Sequence, residues 1–316
     1  MYIYNNIVYI DKIYISIKIT LKKEMNINKK EIKEQKILLI GILTTFILLT
    51  LVFSGCMQSE TPQGLAIVVV GRDSASGTRE FFWEHVMKKE NFTSNMLEKN
   101  SNGAVYQTVS STKGAIGYIG LGYLDENVKA LKIEGIEPTV ANVIAGTYPI
   151  SRALNMFTNG EPTMVALEFL KYLNSDEGQA IVEEEGFVPK TSTGPYVKVQ
   201  GLTGSITIVG STTVLPIAQL AAEEFNKLYG TNLVAVSGGG SSVGIQSVGE
   251  GSATIGMASR ELKTSEISSY PNLVKHIVCN DGIAIIVHPD NNYVNDLTLE
   301  QLKDIYKGTY TNWDQL

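Results

Sequence analysis

The segment SITIVGSTTVLPIAQLAAEEF, residues 205–225, contains a strand, a loop and a helix in that order. Its first six residues are mostly β-branched and apolar, which is typical of a strand. A helix is predicted from Pro216 to Tyr229, because apolar side chains recur there every three or four residues and because proline is favoured at the first helical position. Gly230 is the expected stop. Small and hydroxylated residues fill the loop between the two elements.

The same alternation of strands and helices continues through the chain, and it predicts an α/β fold. The apolar runs are nearly continuous, which indicates sheets that are buried on both faces. Residues 191–203 have little periodicity and are predicted to be a linker. The other predicted strands are residues 65–70, 233–237, 253–259 and 282–288. The other predicted helices are residues 163–173, a short helix capped by Ser175, and residues 298–308. In the last of these, Thr298 and Gln301 have capping-box spacing, and Gly308 ends the helix.

Three loops rich in glycine and hydroxyl groups each join a predicted strand to a predicted helix. They are residues 71–78, 210–216 and 237–246. A helix N-terminus presents unpaired N–H groups and the positive end of the helix dipole, so it can bind an anion without a formal charge. Arg72 adds one formal charge that can contact an oxyanion through two N–H groups. Any single loop is explained as well by an N-cap or a glycine turn, but the recurrence favours one shared tetrahedral anion.

The charge balance argues against a nucleic-acid-binding protein. The net charge of the chain is −6, and residues 56–316 hold 18 basic and 28 acidic residues. A protein that binds the phosphate backbone of DNA or RNA needs a basic face. A small buried anion can still be bound, because local dipoles act at short range and distant surface charge is screened.

The N-terminal part of the sequence predicts export. Residues 37–53 form an apolar run that follows four lysines, and Ser54, Gly55 and Cys56 come next. This order is typical of an export signal, and LVFSGC is similar to the lipobox of lipoproteins, in which the cysteine is lipidated. The alternative is an uncleaved membrane helix, since the run is near spanning length. The second cysteine, Cys279, is predicted to be a buried thiol.

The alternative function is catalysis, with Ser74 or Ser76 as the nucleophile of a phosphatase or serine hydrolase. Such a serine needs a base. The three histidines, His85, His276 and His288, each lie in or beside an apolar element. No metal-ligand spacing is found, and no GK[ST] follows the glycines as in a Walker loop. The sequence therefore predicts a binding protein, without catalytic residues, metal or cofactor.

Several segments together resemble the phosphate-binding protein of ABC-type phosphate importers, which has a two-lobed type II periplasmic-binding-protein fold joined by a hinge. The similar segments cover almost all of residues 64–316: VVVGRDSASGTREFF, GAIGYIGLGYL, YPISRAL, FLKYLNSDEGQAIVEEEGFVP, SITIVGSTTVLPIAQLAAEEF, SGGGSSVGIQSV, ATIGMASREL, DGIAIIVHPDN and LTLEQLKDIYKGTYTNWDQL.

The order of these segments differs from the order in that family, where the counterpart of SITIVGSTTV comes first. The sequence therefore predicts a circular permutation, which chains tolerate best at exposed loops. The resulting domain boundaries are a leader and signal segment at 1–55, a tether at 56–64, lobe 2 at 65–147 plus 289–316, and lobe 1 at 148–288, with the linker 191–203 inside it.

The resemblance also implies phosphate-binding residues, a partner and a location. The implied ligands are Arg72, Ser76, Gly77, Thr78, Thr212, Thr213 and Ser241. Some family members have an Asp that rejects sulfate where this chain has Arg260, so either Arg260 contacts phosphate or Glu261 compensates. The implied partner is an ABC-type permease, and the implied location is the outer face of the cytoplasmic membrane, with the anchor on Cys56. Binding of sulfate, molybdate or tungstate is the alternative.

Overall fold

The computed structural model describes residues 64–316. The predicted leader, the apolar run at 37–53, Cys56 and the tether up to residue 63 lie outside the described residues. Within residues 64–316, no helix has the length and apolar character that crossing a bilayer requires.

The described residues alternate short strands with helices along the chain. The strands are β1 (Val68–Arg72), β2 (Leu97–Lys99), β3 (Ala115–Gly120), β4 (Lys129–Ala130), β5 (Lys132–Ile133), β6 (Ser151–Asn159), β7 (Ile206–Gly210), β8 (Val234–Gly238), β9 (Ile255–Ala258), β10 (Leu273–Val287) and β11 (Asp296–Leu297). The helices are α1 (Gly77–His85), α2 (Asn102–Ser111), α3 (Val140–Ile144), α4 (Met164–Asn174), α5 (Asp176–Glu184), α6 (Leu215–Tyr229), α7 (Ser241–Gly249), α8 (Thr264–Ser269) and α9 (Leu299–Lys307).

Local capping sets the helix ends where the sequence predicted them. The Thr298 hydroxyl accepts a hydrogen bond from the Gln301 N–H, and the Gln301 side chain accepts one from the Thr298 N–H, which completes the capping box of α9. Gly230 and Gly308 end α6 and α9 with φ values of 70° and 85°, a conformation that favours glycine. Ser175 caps α5 through the Gly178 N–H. These predictions are confirmed.

One long strand links the two halves of the sheet. The strand order is β2-β1-β3-β10-β6-β9-β7-β8, with β4 also paired to β10. Residues 273–282 of β10 pair with β6, and residues 283–287 pair with β3. Strands β1 and β3 run parallel, as do β7 and β8, and β7 and β9. Each half of β10 therefore belongs to a different group of strands.

Separate hydrophobic cores accompany the two groups of strands. One core contains Phe82, Ile116 and Trp313, and the other contains Phe169, Phe225 and Ile208. The described residues thus form two lobes of mixed α and β structure, and the predicted fold class is confirmed.

The strand pairing changes between the lobes at Gly282 and Ile283, inside β10. The domain boundary predicted from the sequence lies between residues 288 and 289. Residues 282–287 are buried throughout, so the apolar pattern offers no break at which to see the change. The strand also begins earlier, at Leu273, than the predicted start at residue 282. Residues 191–203 contain neither helix nor strand, as predicted for a linker.

Candidate oxyanion site

The three glycine- and hydroxyl-rich loops lie where parallel strands end and helices begin. The first loop follows β1 and leads into α1, the second follows β7 and leads into α6, and the third follows β8 and leads into α7. In open α/β sheets, ligands bind outside the carboxyl ends of the strands. The first loop belongs to lobe 2, while the other two belong to lobe 1. The loops thus face each other across the boundary between the lobes.

Threonine hydroxyls from both lobes meet at this boundary. The Thr78 Oγ1 and Thr213 Oγ1 atoms lie 3.1 Å apart, which is hydrogen-bond distance. The Asn102 side-chain amide donates to Thr212 Oγ1 at 3.2 Å and to Thr213 Oγ1 at 3.0 Å. All four side chains are buried. The lobes are therefore in direct polar contact, and water is excluded from these hydroxyls.

The third loop contacts the first through glycines. The Ser242 N–H donates to the Ala75 carbonyl at 3.1 Å. A Cβ atom at Gly77 would lie 2.8 Å from Ser241 Cβ and 2.9 Å from Ser259 Oγ, so only glycine allows this approach. The Ser241 hydroxyl in turn accepts from the Ser259 N–H at 3.1 Å. The N-termini of α1 and α7 are therefore in close contact.

A buried ion pair lies beside the threonine hydroxyls. The Arg152 guanidinium, on β6, donates to Asp281 Oδ2 from Nε at 3.1 Å and from Nη2 at 2.9 Å. Its Nη2 also donates to Thr78 Oγ1 at 3.0 Å and lies 3.5 Å from Thr213 Oγ1. Nη1 donates to the Ser259 carbonyl at 2.9 Å. One guanidinium thus contacts groups from both lobes.

Burial is the main influence on the ionisation of this pair. It lowers the pKa of Arg152 below its ordinary value, and Asp281 opposes the shift. An arginine remains protonated near neutrality because its ordinary pKa is so high. Burial raises the pKa of Asp281, and the Arg152 charge opposes that shift. Since Arg152 carries its charge in a buried position, its field on nearby groups is weakly screened.

Arg72 and Ser76 make local contacts within lobe 2. The Arg72 side chain is buried, and its Nε and Nη2 donate to the carbonyls of Lys99 and Asn100 at 3.1 Å each. These bonds do not use Nη1. The Ser76 hydroxyl caps α1 by accepting from the Arg79 N–H at 3.2 Å. Burial lowers the pKa of Arg72 as well.

Arg260 is held by a carboxylate. Its Nη1 and Nη2 donate to the two carboxylate oxygens of Glu266 at 2.7 Å each, and Nη2 donates to Ser242 Oγ at 3.1 Å. Such a bidentate pair fixes the plane of the guanidinium. Glu261, the residue predicted to compensate, pairs with Lys275 at 3.0 Å.

Three residues of the cluster were missed by sequence reasoning: Asn102, Arg152 and Asp281. Asp281 directly precedes the apolar residues 282–287 of β10, and Arg152 is the second residue of β6, so each is a charged residue within a strand and carried a weak signal. Asn102 follows the N-cap of α2, and its position next to Thr212 depends on the packing of the lobes.

The sequence of this chain is similar to those of proteins of known family. A family model described as a PBP superfamily domain matches residues 17–177 and 198–316. Phosphate-binding protein PstS 2 of Streptococcus agalactiae serotype V is 35% identical over 276 residues, with 84% of this chain and 93% of that protein covered. The chain belongs to the PstS family of the PBP superfamily. This confirms the family predicted from the sequence.

A solved structure and a second relative extend the comparison of this PstS-family chain. The crystal structure of a phosphate-binding protein of a phosphate ABC transporter from Streptococcus pneumoniae TIGR4 is 32% identical, with a TM-score of 0.64, and covers 79% of this chain and 99% of that one. Phosphate-binding protein PstS of Bacillus subtilis is 39% identical over 127 residues, which cover 40% of this chain and 42% of that protein.

The names of these PstS relatives are those of binding proteins for transport and not of enzymes, as the sequence predicted. The histidines have local partners: His85 Nδ1 lies 3.0 Å from the Phe81 carbonyl, His276 Nε2 lies 2.8 Å from Thr158 Oγ1, and the Asp290 N–H donates to His288 Nδ1. Cys279 is buried, as expected. Across residues 64–316, no group of three or more His, Cys, Asp or Glu residues is arranged to hold a metal ion.

Proposed function

We propose that this PstS-family protein is an extracytoplasmic solute-binding protein that captures inorganic phosphate between its lobes and delivers it to an ABC importer. The observation that carries the proposal is the buried contact between hydroxyl groups and helix N-termini of the two lobes, centred on Thr78 and Thr213. Charge-assisted hydrogen bonds from such donors are short and strong. The names of the relatives support phosphate as the ion.

The proposed phosphate ligands are those that the sequence predicted. Backbone N–H groups would come from the loops at Gly77 and Thr213, and hydroxyl groups from the threonines and Ser241. Arg72 would contribute Nη1. The full proposed set is Arg72, Ser76, Gly77, Thr78, Thr212, Thr213 and Ser241. Arg260 is left out, because its guanidinium is committed to Glu266, and we assign it to supporting the loop that carries Ser242.

Capture would proceed by hinge closure of the lobes around the ion. The chain crosses between the lobes just before β6 and within β10. Contacts that close the boundary include the Ser242 N–H on the Ala75 carbonyl and the Lys263–Glu80 ion pair at 2.9 Å. In the presence of phosphate, the ion's oxygens would replace the direct Thr78–Thr213 contact.

Calorimetric titration of the purified full-length chain with oxyanions tests this function. We expect saturable binding of one inorganic phosphate per chain, weaker binding of sulfate, molybdate and tungstate, and no turnover of a chromogenic phosphate ester. Preferential binding of one of the other oxyanions would support the alternative specificity. Turnover of the ester would favour the phosphatase, and an absence of heat with every ion would reject the proposal.

Arg72 can be tested with a single substitution. Arg72→Ala is expected to weaken phosphate binding about 10–100-fold, because a charged hydrogen-bond donor contributes roughly 1.5–3 kcal/mol. Lys113→Ala is the charge-matched control, since Lys113 is an exposed residue of the same lobe that pairs with Asp290. Equal affinities of the two variants would remove Arg72 from the ligand set.

The permuted order of segments is part of the proposal. Residues 65–67 lie beside residues 311–313: the Ile67 N–H donates to the Thr311 carbonyl, and the Trp313 N–H donates to the Leu65 carbonyl. The segments that the family order would join are thus neighbours in lobe 2. Light scattering distinguishes a monomer with this order of segments from a dimer that exchanges halves.

We also propose that Cys56 is lipidated and anchors the protein at the outer face of the cytoplasmic membrane. The support is the order of lysines, apolar run, small residues and cysteine. An anchored protein would stay close to its permease. Mass spectrometry of the N-terminal peptide tests this, and an unmodified Cys56 in the mature protein would reject it.

A further inference from the structure

Arg152 lies where the two lobes meet, and little of its surface is exposed. It occupies the second position of β6, directly after the crossing from lobe 2. Its side chain is 2% exposed, and that of its partner Asp281 is 0% exposed. The guanidinium also lies 5.8 Å from the centre of the Phe81 ring in lobe 2. A charged group this buried needs partners, and Asp281 supplies one.

The remaining contacts of Arg152 are with the proposed phosphate ligands. Nη2 donates to Thr78 Oγ1, and Thr213 Oγ1 lies 3.5 Å away. A hydroxyl oxygen that accepts from Arg152 or Asn102 keeps its own proton as a donor, and in this structure one of the Thr78 and Thr213 hydroxyls donates that proton to the other. The guanidinium therefore turns these hydroxyls into donors for an anion. Arg152 Nη1 carries two hydrogens: one is donated to the Ser259 carbonyl, and the other takes part in none of the hydrogen bonds named here.

Asp281 fixes the position of this cation. Both Nε and Nη2 of Arg152 donate to Asp281 Oδ2, while Asp281 Oδ1 accepts from the Leu121 N–H at 3.0 Å. Leu121 follows directly after β3 of lobe 2, so the carboxylate is itself bonded to that lobe. Two bonds to one oxygen restrict rotation of the guanidinium, and its Nη2 edge faces the threonines.

We propose that Arg152 is a phosphate-binding residue and the buried cation of this site, held in place by Asp281. This inference rests on the proposed function, because it concerns the same ion. When phosphate enters, the Arg152 N–H groups that now contact Thr78 and face Thr213 reach its oxygens. The positive charge strengthens binding of the anion, because the hydroxyls and backbone N–H groups around it are neutral. Arg72 has fewer N–H groups to offer phosphate, because its Nε and Nη2 already donate to backbone carbonyls.

The experiment compares phosphate affinity in single and double variants of the full-length chain. Arg152→Gln removes the charge but leaves Asp281 buried without its partner, which alone can unfold a protein. The double variant Arg152→Gln/Asp281→Asn removes both charges, so no unpaired ion remains. The double variant is expected to keep the wild-type urea midpoint within about 1 M and to bind phosphate roughly 10–100-fold more weakly.

The matched control is Lys171→Gln/Glu168→Gln, which removes a lobe 1 ion pair on α4 at 2.9 Å. It is expected to bind phosphate as the wild type does. Wild-type affinity in a folded Arg152→Gln/Asp281→Asn variant would overturn the inference, because a purely structural pair would leave binding unchanged once both charges are gone. If the wild-type chain itself binds no phosphate, the proposed function fails instead.

A second variant applies if Arg152→Gln/Asp281→Asn does not fold. Arg152→Lys keeps the charge but loses the planar fork of the guanidinium, and it is expected to bind phosphate at least 5-fold more weakly than the wild type. Unchanged phosphate binding by Arg152→Lys rejects the inference.

Discussion

Gly77→Ala is expected to weaken phosphate binding by roughly 10²–10⁴-fold, as measured by calorimetric titration. Gly77 is the first residue of α1, and the N-terminus of α7 packs against it. A methyl group there would overlap Ser241 and lie 2.9 Å from Ser259 Oγ. Both serines are buried in lobe 1, where Ser241 is the first residue of α7 and Ser259 directly follows β9, so they cannot move aside easily. The lobes would then stop short of closure, and about two charge-assisted hydrogen bonds would be lost.

Gly103→Ala is the matched control for this effect. Gly103 also lies in the first turn of a helix, α2, and a Cβ atom there would meet nothing within 4 Å. Alanine is a better helix former than glycine, so this variant is expected to be about 0.5–1 kcal/mol more stable, with unchanged affinity. If Gly77→Ala bound phosphate as tightly as Gly103→Ala, the lobes would not need to approach as closely as this structure shows.

Gly210→Ala is expected to lower the free energy of unfolding by about 2–6 kcal/mol. Gly210 ends β7 with a φ of +141°, a conformation that side chains rarely adopt. A Cβ atom there would overlap the Met257 carbonyl and lie 2.8 Å from the Met257 nitrogen and 3.0 Å from Gly244 Cα. These neighbours are backbone atoms of β9 and α7, so relief requires the strands to shift. The midpoint of urea-induced unfolding is expected to be about 1–2 M lower than that of the wild type.

Gly204→Ala separates backbone strain from steric overlap. Gly204 also has a positive φ, +97°, but it lies in the loop before β7, and nothing would lie within 4 Å of its Cβ atom. Only backbone strain acts at this position, so the free energy of unfolding is expected to fall by about 1 kcal/mol. Equal urea midpoints for Gly204→Ala and Gly210→Ala would show that the close packing at Gly210 contributes nothing to stability.

The local elements were visible in the sequence because their causes are local. The apolar period of α6, the capping box of Thr298 and Gln301, and the stop at Gly308 each depend on residues within a few positions of one another. The three loops were visible for the same reason, since a strand, a small-residue turn and a helix start follow each other along the chain. The position of each loop between a strand and a helix could therefore be predicted.

The long strand β10 marks the limit of this reasoning. Its two halves pair with different strands, β6 and β3, which are distant in sequence from β10 and from each other. The half that pairs with β6 mixes apolar and polar residues and the half that pairs with β3 is apolar, but neither composition nor period identifies the partner strand of either half. Strand pairing is a long-range choice, and only the folded chain makes it.

The sequence by itself determined the fold class, the helix ends and three turns rich in glycine and hydroxyl groups between strands and helices. The tertiary structure alone decided which side chains surround the meeting point of those turns. Arg152 and Asp281 are 129 residues apart, and Asn102 and Thr213 are 111 apart, yet each pair is in hydrogen-bond contact. Burial then sets the chemistry, because a charge removed from water acts strongly on its few neighbours, and those neighbours are fixed by packing rather than by position along the chain.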